Sequence, residues 1–145
     1  IYVCAYVPKP GMSLAEMRRA GPRQPLAGSF RLDPDRRVFW FDAAMAPALF
    51  FHDCPDPQAA TAQLCADSVA VMETALPDTA RAEALPRGYL ICDDDRAIPP
   101  EYQRVMAKGI AAQAHLPCGH SPFLAMPEAL AEAIVQVAGQ AHMMV

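Results

Sequence analysis

The chain has 145 residues, 53% of them hydrophobic, which suits one domain with a buried core. Its 12 Lys and Arg against 16 Asp and Glu leave a net charge of −4, and the basic residues are scattered apart from Arg18–Arg19 and Arg36–Arg37, which argues against nucleic acid as a partner. No apolar run approaches the roughly 18 residues of a membrane span, and no charged leader with a following apolar stretch is visible.

Ile1–Val7 (IYVCAYV) is a short apolar run rich in β-formers and closed by Pro8, Pro10 and Gly11, which predicts a buried strand. Ser13 with Glu16 three residues on is a capping box, Met12 and Met17 are placed for a hydrophobic staple, and Gly21 stops this helix. From Pro22 to Pro86 the parallel-sheet signal disappears. Phe30–Leu32 and Val38–Phe41 flank Asp33-Pro34-Asp35-Arg36, the composition of a hairpin turn; Asp42–Phe51 is apolar but interrupted by Pro47; Asp56 and Pro57 open a helix through Cys65. This block reads as an insertion carried on top of a sheet.

The sheet signal returns at Gly88–Cys92. A helix follows from Pro100, with Tyr102, Val105 and Met106 on one face and Gly109 as its stop. Ala112–Leu116 is a weaker strand, and the last helix runs from Pro127 through Leu130, Ile134 and Val137 to about Gly139. Strands alternating with helices predict an α/β class with a mainly parallel sheet and right-handed crossovers. The expected division is 1–19, a core strand and the start of a connection; 20–85, a mostly helical cap; and 86–145, the rest of the core. The 15 prolines sit mostly at element boundaries and punctuate an ordered fold. Five cysteines (Cys4, Cys54, Cys65, Cys92, Cys118) without a C-x-x-C pair read as buried reduced thiols in a cytoplasmic protein.

Ligands bind beyond the carboxyl ends of parallel strands, and two polar residues are placed there. Asp93-Asp94-Asp95 follows the strand at Gly88–Cys92, and Asp95, four residues before Pro99, is favoured over its neighbours, the bland alternative being three solvated loop acids. His120 follows the next strand in G-H-S-P-F. An acid after one strand and a histidine after the next is the order of the second half of a Ser…Asp…His system, with the acid fixing the tautomer of the base. No G-x-S-x-G precedes them, and the chain opens inside a strand-like run, so the expectation is the C-terminal part of a hydrolase. Gly119-His120-Ser121 is a decoy for a nucleophile elbow, because Pro122 and Phe123 stand where a small residue is needed. His115, Cys118 and His120 form H-x-x-C-x-H, but too few ligands at strand-separated positions argue against a metal, and no cofactor is implied. Phe39, Trp40, Phe41, Phe50 and Phe51 suit either an apolar pocket or the packing of the insertion.

YLICDDDRAIPPEYQRVMA followed by LPCGHSPFLAMPEALAEAI resembles the C-terminal half of the α/β-hydrolases grouped with plant methylesterases and hydroxynitrile lyases and their bacterial relatives. IYVCAYVPKPGMSL is similar to their strand after the nucleophile helix, and ALFFHDCPDPQAATAQL to their cap. The resemblance implies a partial α/β-hydrolase fold, the last strands of its sheet with flanking helices, carrying a mostly helical cap. It also implies Asp95 as triad acid and His120 as triad base, with nucleophile and oxyanion hole in a preceding segment. Hydroxynitrile lyases of this group carry a lysine after the histidine; Ser121 stands there, which favours ester hydrolysis over cyanohydrin cleavage. A non-catalytic ligand-binding relative is the reading from another class. The expected substrate is a small apolar or aromatic ester bound by Phe51, Ser121 and Phe123. With no strand beyond it, Ile1–Val7 is an apolar edge through which the chain alone is expected to associate.

Overall fold

The structure, a computed structural model, describes residues 1–143. In chain order its elements begin with Tyr2–Val3 (β1), Leu14–Arg19 (α1), Phe30–Leu32 (β2), Val38–Phe41 (β3), Ala46–Phe50 (α2) and Pro57–Ala62 (α3). Asp67–Ser68 (β4), Val69–Glu73 (α4) and Ala80–Glu83 (α5) come next. The chain then continues through Gly88–Cys92 (β5), Pro100–Met106 (α6), Ala112–Leu116 (β6), Pro122–Ala125 (α7) and Pro127–Met143 (α8).

All five residues of β5 are buried, as a central parallel strand with helices on both faces requires. Its side chains alternate accordingly. Leu90 and Cys92 join Leu130, Ala133 and Val137 of α8 in one core cluster, while Tyr89 and Ile91 join Tyr102 and Met106 of α6 in another. β1 and β6 flank β5 in parallel, in register from Tyr2 opposite Tyr89 and from Gly88 opposite Ala112 to Cys92 opposite Leu116. The loops after β5 and β6 therefore emerge on one side of the sheet.

The first strand is shorter than the apolar run Ile1–Val7 because Cys4 takes a positive φ of 37° and leaves the extended region after Val3. Its N–H still reaches the Leu90 carbonyl at 2.9 Å. The strand that flanks β5 on this side is thus two residues long. Ser13 closes the capping box on Glu16, and Met12 and Met17 meet in the same cluster, as a staple requires.

Between α1 and β5, the hairpin β2–β3 forms around Asp33–Arg36, with Phe30 opposite Phe41. β4 adds a third antiparallel strand that the sequence does not signal, being only Asp67–Ser68; α4 and α5 are likewise unsignalled. Phe30, Phe39, Phe41, Phe50 and Phe51 stack in a chain of ring contacts. Leu26, Ala46, Phe50 and Phe51 from this block bury against Ala97 in the loop after β5, which seats the block over that end of the sheet.

Three helical details depart from the pattern. α3 stops at Ala62, leaving Cys65 exposed. Val105 is 60% exposed, because α6 turns Tyr102, Gln103 and Met106 inward instead. α8 does not stop at Gly139 but continues to Met143, with Gly139 facing open space and so free of any packing demand. No helix among the described residues is long and apolar enough to cross a membrane.

Candidate active site

The loop after β5 sorts its three aspartates by what the neighbouring elements offer them. Asp93 sits by Arg104 at 2.7 Å and the His115 ring at 3.0 Å. Asp94 is exposed and meets His52 Nε2 at 2.9 Å. Asp95 turns inward and its side chain is fully buried. Its Oδ1 accepts the N–H groups of Ala97 (2.7 Å) and Ile98 (2.8 Å), and its Oδ2 accepts Gln103 Nε2 (2.8 Å) and faces His120 Nδ1 (2.8 Å).

Gln103 is itself fixed. Its Nε2 also donates to the Ile98 carbonyl (2.7 Å) and its Oε1 accepts the Cys92 N–H (3.0 Å), so its amide has a single workable orientation. A carboxylate can only accept, so the proton between Asp95 and His120 belongs to Nδ1. Nε2 is then the nitrogen left to act as a base.

His120 stands in the loop after β6, and the block above the sheet holds that loop down. Asp53 accepts the Gly119 N–H at 2.6 Å, and His52 lies so close that a Cβ on Gly119 would meet its Cε1 at 2.5 Å. Only glycine fits there. Cys4 donates its thiol to the His120 carbonyl at 3.4 Å, and the Phe50 ring centre lies 5.6 Å from that of His120. The His120 side chain keeps 27% of its exposure while Asp95 keeps none, an arrangement in which the carboxylate is dry and the imidazole is reachable.

His120 borders two cavities. One of about 510 Å³ is lined by Tyr6, Arg18, Phe30, Phe50 and Met72, among others; a second of about 270 Å³ is lined by Phe41, Phe51, Leu64, Ser121 and Phe123. Phe51 and Phe123 also border a third, of about 600 Å³, against Cys54 and α3. The three residues expected to touch a ligand thus all lie beside His120: Phe51 buried, Ser121 buried at 2% exposure, Phe123 59% exposed. Trp40 and Phe39 line neither cavity at His120.

The H-x-x-C-x-H pattern does not converge, since His115 pairs with Asp93 on the far side of the strand end. The group whose donor atoms do lie within 4.8 Å of one another is Cys4, Asp95 and His120, but both carboxylate oxygens of Asp95 already carry two hydrogen bonds. The hydrogen bond with Cys4, and then burial, push the Cys92 thiol far above its ordinary range, and burial does the same to Cys118. Both are neutral at physiological pH. The sequence reading missed His52 and Asp53, whose one available signal was a polar pair inside the apolar stretch from Phe50 to Cys54. Tyr6, Arg18 and Met72 carried no signal.

Known proteins share this arrangement of elements. A pyrethroid hydrolase of Sphingobium wenxiniae is 45% identical over 65 residues, 43% of this chain and 23% of the relative. The alpha/beta hydrolase nvfD of Aspergillus novofumigatus is 33% identical over 147 residues, 97% of this chain and 57% of the relative. Among solved structures, a pyrethroid hydrolase from Sphingobium faniae superposes with a TM-score of 0.75 at 25% identity, over 95% of this chain and 59% of that one. Polyneuridine aldehyde esterase superposes with a TM-score of 0.73 at 17% identity, over 94% and 60%. The chain spans no more than about three fifths of the length of these relatives. The family model of the alpha/beta hydrolases matches residues 1–133, and with the parallel sheet β1-β5-β6 and its two loops the chain belongs to that family.

Proposed function

We propose that this chain supplies the acid and base of a serine-type carboxylic ester hydrolase, with residues 1–19 and 86–145 as core and 20–85 as its cap. The observation that carries the reading is the 2.8 Å contact between buried Asp95 and reachable His120 at the ends of adjacent parallel strands. The chain has four serines, Ser13, Ser29, Ser68 and Ser121. Ser13 is a helix cap, Ser29 donates to the Leu26 carbonyl, and none hydrogen-bonds the His120 ring among the described residues. The nucleophile is therefore assigned to a segment outside this chain, together with the amides that receive the oxyanion.

In the reaction, His120 Nε2 takes the proton of the serine hydroxyl as its oxygen attacks the ester carbonyl, then returns it to the departing alcohol. Water, activated by the same nitrogen, releases the acid. Asp95 holds the ring and stabilises the imidazolium without taking the proton. The cavities beside His120 suit apolar or aromatic groups on the ester, because such walls gain binding from apolar area.

The test uses the polypeptide that joins this chain to its nucleophile segment, assayed against p-nitrophenyl acetate and mandelonitrile side by side. Ester turnover without cyanide release is expected, and His120→Ala should lower kcat by about a thousandfold or more. Ester turnover within a few-fold of wild type in that variant refutes the assignment. Cyanide release without ester turnover would make the protein a lyase, and tight ligand binding with neither activity a binding protein.

A further inference from the structure

The larger cavity at His120 is apolar except for two groups that the ester reading does not use. Among the described residues, the guanidinium groups of Arg23, Arg31, Arg37, Arg96 and Arg104 each lie against a carboxylate. Arg18, Arg19, Arg36, Arg81 and Arg87 do not, and of these five it is Arg18 that lines the cavity. Its guanidinium carbon sits 5.0 Å from the centre of the Phe30 ring, and its one side-chain partner is the neutral Gln24 Oε1 at 3.3 Å. Glu73 borders a neighbouring cavity with Arg18 but forms no ion pair with it.

Tyr6 is the second group. The hydroxyls of Tyr89 and Tyr102 are committed to the carbonyls of Ala5 (2.6 Å) and Met17 (2.7 Å), whereas that of Tyr6 has no protein partner of this kind. Burial pushes the Tyr6 phenol up to about 12, with the nearby charge of Arg18 opposing the rise, so the phenol is a donor at neutral pH and lies within the field of Arg18. A stacked guanidinium and a protonated phenol line one cavity as two donors; the one carboxylate whose charge reaches the phenol, Asp95, spends both oxygens on Ala97, Ile98, Gln103 and His120.

We propose that Arg18 and Tyr6 form a carboxylate subsite in the cavity that His120 borders, so that the ester hydrolysed is one with an acidic group on an apolar arm, such as the monoester of a dicarboxylic acid. Phe30, Phe50 and Met72 then cover the arm between the two ends. Planar guanidinium is suited to the task, since it holds a carboxylate through two N–H groups while stacked on an aromatic ring. The subsite rests on the esterase reading only for the ester bond; recognition of the anion stands on Arg18 and Tyr6.

Titration calorimetry of the polypeptide that joins this chain to its nucleophile segment, with 4-phenylbutyrate and 4-phenylbutyramide, separates the two. The carboxylate should bind about tenfold more tightly than its neutral isostere at low ionic strength, with most of that preference lost in 0.5 M NaCl as the charges are screened. Arg18→Gln should abolish the preference, Arg18→Lys should keep part of it, and Tyr6→Phe should weaken the carboxylate alone. Circular dichroism checks that each variant is folded; if Arg18→Gln is not, the wild-type preference and its salt dependence decide. Equal binding of the two probes, no binding of the carboxylate, or a preference that survives in folded Arg18→Gln overturns the subsite. Because no turnover is read, an active esterase without carboxylate preference refutes the subsite alone, and a preference in an inactive enzyme refutes the esterase alone.

Discussion

Replacing Asp95 by Asn keeps the shape of the side chain and removes one acceptor, and the cost is set by the groups around it. If the new NH2 faces Ala97 and Ile98, it opposes two backbone N–H groups that cannot turn away. If it takes the place of Oδ2, it opposes Gln103 Nε2, which cannot flip without losing the Cys92 N–H and the Ile98 carbonyl, and it faces His120 Nδ1. The second orientation costs less, because His120 can move its proton to Nε2 and accept from the amide. One donor on Gln103 is left opposed, at about 1–3 kcal/mol, and the two backbone bonds lose the strengthening of a charge, partly offset by no longer burying that charge. The net loss is about 2–4 kcal/mol, which with a urea slope of about 2 kcal/mol/M lowers the midpoint by roughly 1–2 M. The second readout is the tautomer. Nitrogen-15 shifts of the His120 ring should report protonated Nδ1 in the wild type and protonated Nε2 in the variant, the form that cannot act as a base. Asp94→Asn is the control: Asp94 is exposed, and among the described residues its side chain meets only His52 and, at 3.8 Å, Arg96, so the loss should stay below about 1 kcal/mol with the tautomer unchanged. A midpoint for Asp95→Asn equal to that of Asp94→Asn, or an unchanged His120 tautomer, would refute this account of the site.

Gly88→Ala should destabilise the chain by about 1–3 kcal/mol in urea unfolding, because the added methyl runs into the Val137 side chain where α8 crosses β5; a neutral effect would mean that α8 does not pack there. The Glu16 carboxyl is held below its ordinary 4.5 by the backbone and hydroxyl hydrogen bonds of Ser13, so its contribution to stability is present above 4.5 and lost as the pH falls through its lower folded value. Glu16→Gln should therefore lower stability at pH 7, where the charged cap contributes, and cost little in acid, where Glu16 is already protonated, so the acid side of a stability–pH curve flattens; an unchanged acid slope would count against the capping box.

Much of the core was legible in the sequence because it rests on local chemistry. The capping box at Ser13, the turn at Asp33–Arg36, the prolines opening helices at Pro57, Pro100 and Pro127, and the buried run Gly88–Cys92 each involve neighbours within a few residues. Where the local signal failed, a long-range contact or a local dihedral had overruled it: Cys4 ends β1 by its backbone angle, and Val105 is turned out because Gln103 is needed beneath Asp95. Order along the chain singled out Asp95 and His120, since an acid and a histidine after successive parallel strands emerge on one side of a sheet. Spacing before Pro99 favoured Asp95 among three adjacent aspartates, but the contacts that turn it inward were not legible. Those contacts are Gln103 from α6 and two amides at Ala97 and Ile98 converging on one carboxylate. Nor could order along the chain show that Asp53, Arg18 and Tyr6, separated by tens of residues from His120, close around it. Sequence patterns record which faces are apolar; only the folded chain brings distant polar atoms within the 3 Å at which hydrogen bonds act.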